Sequence, residues 1–167
     1  MTEANWWIIP LAAFIPLFIG SIWYNPKVFG KSWVKAAEIT EERAQSGNMF
    51  KIFGLTYLFS ILAAYMLTML SVHQSGMIQL FLGDELMNDA NSEAMKILTS
   101  LMENYGERHR TFGHGIIHGM EAGLFFGLPL IGINTLFERR PFKYAWIHIG
   151  FFMLCFGLMG GILCAFF

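Results

Sequence analysis

Residues 111–137 read TFGHGIIHGMEAGLFFGLPLIGINTLF. Apart from His114, His118 and Glu121 this stretch carries nothing ionisable. It exceeds the roughly 20 helical residues that cross a hydrocarbon core about 30 Å thick. It therefore reads as a membrane-spanning helix, and residues 6–24, 49–72 and 144–167 read the same way. Composition agrees, since 55% of the 167 residues are apolar and only 14% charged, against roughly a quarter charged in a soluble domain. A single small core has no room for 17 Phe, 11 Met and 5 Trp, and a bilayer takes the excess. A net charge of −1 gives no footprint for nucleic acid. The only cysteines, Cys155 and Cys164, fall on roughly opposite sides of one helix and cannot bridge within it. The fold class expected is all-α: an integral membrane four-helix bundle over residues 1–167, forming a single domain.

The connections complete this plan. Residues 1–5 carry no basic group and no small-residue cleavage site, so the first span reads as retained and not as a secretory signal. Pro10 and Pro16 each remove an amide donor from it, which predicts a kink whose freed carbonyls are covered by a neighbouring helix. A helix from Met49 through to Leu82 would overshoot the bilayer, so a break is expected between Ser71 and Gly76. Between the first and second spans, Trp23, Tyr24, Lys27, Lys31 and Trp33 suit an amphipathic segment at the headgroups, rings buried and ammonium groups snorkelling. The 83–110 loop holds Asp84, Glu85, Asp89, Glu93, Glu103 and Glu107. Its Ala94, Ile97, Leu98, Leu101, Met102 and Tyr105 recur at three and four, predicting an external helical cap that starts at Asn91 or Ser92 and ends at Gly106. Eight of the eleven basic residues lie in the two connections 24–51 and 138–143. The positive-inside rule puts those connections in the cytoplasm and both termini outside.

The run Gly20-Ser-Ile-Trp23-Tyr24-Asn25-Pro26, followed by Phe29-Gly30-Lys31-Ser-Trp33, resembles the signature of the small bacterial membrane proteins grouped as domain of unknown function family 1761. The resemblance implies a multi-pass protein of the bacterial inner membrane and brings no activity, substrate or cofactor with it.

Site candidates come from the third span itself. On a helix, Thr111, His114, His118 and Glu121 fall within about 80° of one another. Gly115, Gly119, Gly123 and Gly127 form a separate ridge of Gly-x-x-x-Gly steps along which another helix can approach closely. Glu121 lies roughly 15 Å into the span, where a bare carboxylate is costly. His73 and His109, at the ends of the second and third spans, share a level with His114. The face reads in three ways: a transition-metal site for Zn²⁺, Fe²⁺ or Cu²⁺ using His114, His118, Glu121 and perhaps His73; a proton relay between His118 and Glu121; or polar contacts that specify packing. No nucleophile motif, phosphate loop or second histidine box accompanies it. The leading expectation is a non-enzymatic assembly or accessory subunit. It would form a homo-oligomer or join a larger membrane complex through the glycine and polar faces, with the lipid bilayer as its other partner. The alternative is a metal-binding or proton-coupled, transporter-like protein.

Overall fold

A computed structural model describes residues 4–81, 83 and 89–167, and each regular element among them is a helix. In chain order these are α1 (Ile8–Ala12), α2 (Ile15–Trp23), α3 (Gly30–Ala36), α4 (Glu41–Gln45), α5 (Met49–Ser71), α6 (Gln74–Gln79), α7 (Glu93–Tyr105), α8 (Phe112–Phe125), α9 (Gly127–Phe137) and α10 (Phe142–Phe166). Among the described residues, three helices are long and apolar enough to cross a membrane: α5, α8 continuing into α9, and α10. Their outer faces are what lipid requires, with Phe50 93% and Phe137 85% exposed. A soluble monomer does not present so much large apolar surface.

The first apolar stretch is shorter and divided. From Ile8 to Trp23 it counts among the shorter apolar helices, about 24 Å at the helical rise. Pro16 stands in the first turn of α2, where its missing amide costs nothing. The Phe14 amide turns to the Leu11 carbonyl, which frees the carbonyl of Pro10. Tyr57 of α5 donates its hydroxyl to that carbonyl at 3.1 Å, so a neighbouring helix covers the gap left at the kink.

The other boundaries follow from equally local causes. The α5 helix begins at Asn48, whose side chain accepts from the Lys51 amide, and it ends where Val72 turns extended at φ −101°, ψ 91°. That break falls inside the 71–76 window. The third span, expected as one helix, is divided at Phe126, because Pro129 has no amide to give the Phe125 carbonyl. Ser92 caps α7 by accepting from the Met95 amide, and α7 buries Ala94 and Leu98. Expectations resting on Met1–Glu3, Leu82, Asp84 and Glu85 lie outside the described residues.

The tightest contact in the bundle is between α8 and α10. A Cβ added at Gly115 would stand 2.1 Å from the Gly160 carbonyl oxygen, at Gly119 1.9 Å from that of Phe156, and at Gly123 2.6 Å from the Met153 Cα. Backbone meets backbone from Gly115 to Gly123, as small residues allow in a membrane. Gly127 stands apart, its nearest neighbour being an Ile149 methylene at 4.0 Å. The glycine ridge is thus filled by a helix of the same chain. Around it, Ile9, Ala12, Ala64, Leu67, Ala122, Met159 and Leu163 form the buried core that α1, α5, α8 and α10 share.

Candidate metal centre

Three chain segments deliver the histidines to one end of this bundle. The α8 helix starts at Thr111, whose hydroxyl accepts from the His114 amide at 3.3 Å. That cap fixes the register which sets His114 and His118 one turn apart on the side of α8 away from the glycine ridge. His73 arrives from the other side, immediately after the break at Val72, as the residue that opens α6. His109 precedes α8 in the left-handed region, φ 64°, a conformation that costs a non-glycine residue about 1 kcal/mol or more. It places the His109 ring parallel to that of His114, centroids 4.9 Å apart.

Cys164 joins the two incoming segments. Its buried Sγ lies 3.2 Å from the carbonyl of Ser71 and 3.2 Å from that of His109. Its single proton is within reach of both carbonyls, where the exit of α5 meets the entry of α8. Sequence reasoning missed this contact, because its partners are backbone carbonyls and carry no residue signal.

At the centre, Nε2 of His114 lies 2.8 Å from Nε2 of His73 and 3.1 Å from Nε2 of His118. All three ligand atoms lie within 4.8 Å of one another. Behind them, Nδ1 of His118 faces a Glu121 carboxylate oxygen at 3.1 Å. Where Nδ1–H of His118 donates to that oxygen, its Nε2 is left to present a lone pair. Glu121 thus touches the far side of the His118 ring and does not join the converging nitrogens. This is the carboxylate–histidine arrangement that orients a metal ligand from behind. Burial first, and then the neighbouring rings of His118 and His109, hold His73 below the ordinary histidine range. Its neutral form, the one that can bind a metal, is favoured at pH 7.

The aromatic signature after the first span has a different partner. Trp23 donates its indole N–H to the Ile147 carbonyl at 3.1 Å, and the Tyr24 hydroxyl meets Nδ1 of His148 at 2.8 Å. Trp33 packs edge-on against Tyr24 at 5.1 Å. These rings lock the α2–α3 turn onto α10, while Lys27 and Lys31 remain exposed. His148 lies twelve residues from Gly160 along α10, about 18 Å from the histidine cluster's level.

Among the described residues the fold is all-helical, with three helices long and apolar enough to cross a membrane and a histidine-lined end. Residues 7–164 match the family model described as "Protein of unknown function (DUF1761)", nearly the whole chain, and the protein belongs to that family. No curated protein and no solved structure matches it.

Proposed function

We propose that this is a multi-pass membrane protein that binds one transition-metal ion, Zn²⁺, Fe²⁺ or Cu²⁺, through Nε2 of His73, His114 and His118. The observation that carries the reading is the crowding on a single atom. A ring nitrogen offers one proton or one lone pair, so Nε2 of His114 completes only one of its two contacts, at 2.8 and 3.1 Å, as an ordinary hydrogen bond. One cation accepts all three lone pairs at once. Tetrahedral zinc, with Zn–N of about 2.0–2.1 Å, sets its nitrogens about 3.3 Å apart, against 2.8 and 3.1 Å for the two pairs that share His114 and at most 4.8 Å for the third. Three protein ligands leave a fourth position for water or a bound molecule. The test is elemental analysis of protein purified gently without chelator, then reloaded with each ion in turn. About one ion per chain, lost in His73→Ala and His114→Ala, is expected. No stoichiometric ion after reloading with all three overturns the reading.

A second reading, assembly, is favoured by one observation. The Glu121 side chain is 52% exposed at membrane depth, where a half-bare carboxylate calls for cover. A second copy or a larger complex would supply it through the polar face of α8, since α10 fills the Gly115–Gly123 ridge. Native mass in mild detergent tests this, and a monomer without a co-purifying partner refutes it. The bias of Lys and Arg supports a topology with the histidine end and both termini outside, with α1–α2 as a fourth, thinner span.

A further inference from the structure

At the other end of the bundle, where α9 gives way to α10, a cavity of about 180 Å³ opens among Ile131, Asn134, Glu138, Tyr144, His148 and Phe152. His148 forms part of its wall, and Nε2 of that ring is buried without a hydrogen-bond partner. Its other nitrogen is engaged, since the Tyr24 hydroxyl lies 2.8 Å from Nδ1. A phenol is the better donor of the two groups, so Tyr24 donates, Nδ1 accepts, and Nε2 carries the proton. The wall of the cavity therefore carries, on His148, a buried N–H with nothing to receive it, a costly arrangement unless an acceptor completes it. The acidic side chain on the rim is already compensated. Glu138 pairs with Nε of Arg140 at 2.6 Å, and Arg140 also donates to the Ala37 carbonyl and lies over the Tyr144 ring at 4.9 Å.

The volume is that of about six waters, below the roughly 300 Å³ of an ordinary ligand pocket. It admits the end of a molecule and not the whole. Its walls mix Ile131 and Phe152 with polar groups, and its mouth lies beside the charged turn Glu138-Arg139-Arg140, at the level of lipid headgroups and ester linkages. We propose that this cavity binds the carbonyl end of an apolar or amphiphilic molecule drawn from the bilayer, with His148 Nε2–H as the donor and Asn134 as a second polar residue of the lining. Two membrane components carry that chemistry, the ester of a diacyl lipid and the ring carbonyl of a quinone.

The full chain in detergent is titrated with a short-chain diester phospholipid, its diether counterpart of identical headgroup, and a short-chain benzoquinone, following quenching of the nearby tryptophans. If a lipid ester is the occupant, the diester binds about five- to tenfold more tightly than the diether, the factor one hydrogen bond supplies, and His148→Phe closes that gap. If a quinone is the occupant, the quinone binds and His148→Phe weakens it by a similar factor. Asn134→Leu, which narrows the cavity without touching the Tyr24–His148 bond, weakens the occupant in either case and decides the matter should His148→Phe misfold. Equal diester and diether binding, together with quinone binding indifferent to both substitutions, overturns the proposal.

Discussion

Replacing Gly119 by Ala adds one methyl group at the tightest point of the bundle. The new Cβ would stand 1.9 Å from the Phe156 carbonyl oxygen and 2.4 Å from its carbon, whereas ordinary contact begins near 3.4 Å. The obstacle is backbone, so no side chain can swing aside, and α8 must move from α10 by about 1.5 Å locally. Because Gly115 and Gly123 pack on the same helix, that movement also loosens the contacts on either side. Overpacking costs 1–3 kcal/mol in general, and a backbone collision belongs at the upper end. The expected loss is about 3 kcal/mol, more than a hundredfold in the folding equilibrium. Gly54→Ala in α5 is the control. Nothing lies within 4 Å of its added Cβ, and the gain in helix propensity is up to about 1 kcal/mol. Both variants are unfolded by SDS titration in mixed micelles and followed by circular dichroism. A Gly119→Ala protein as stable as wild type would refute backbone-level packing of α8 on α10, and so would an equal loss in Gly54→Ala.

The centre and its surroundings give three further tests. Glu121→Gln keeps an oxygen for the His118 Nδ1 proton but removes the charge, so metal affinity should fall about 10- to 100-fold without abolishing binding, as read by competition with a chromogenic chelator. Imidazole ligands must be unprotonated, and His73 is held below its ordinary value of 6.5. Metal should therefore be retained fully near pH 7.5 and released as pH falls below about 6, with proton uptake, in dialysis followed by elemental analysis. Cys155 and Cys164 are both fully buried. Neither should react with maleimide in mild detergent and both should react in SDS, whereas rapid labelling of the folded protein would contradict the α8–α10 core.

Sequence alone made the class of protein legible, and for a physical reason: crossing hydrocarbon demands length and apolarity together, and both are written along the chain. The α5 helix lies at 49–71 where 49–72 was expected, and α10 at 142–166 for 144–167. Helical periodicity likewise set His114, His118 and Glu121 on one face, because all three belong to one helix. Tertiary structure decided what depends on other segments. It brought His73 across 41 residues to His114 and paired Tyr24 with His148 through the α2–α3 turn. It also chose α10 as the partner of the glycine ridge. No single chain sequence makes that choice, since a small-residue face meets a helix of its own bundle and a helix of a second molecule by the same van der Waals contacts.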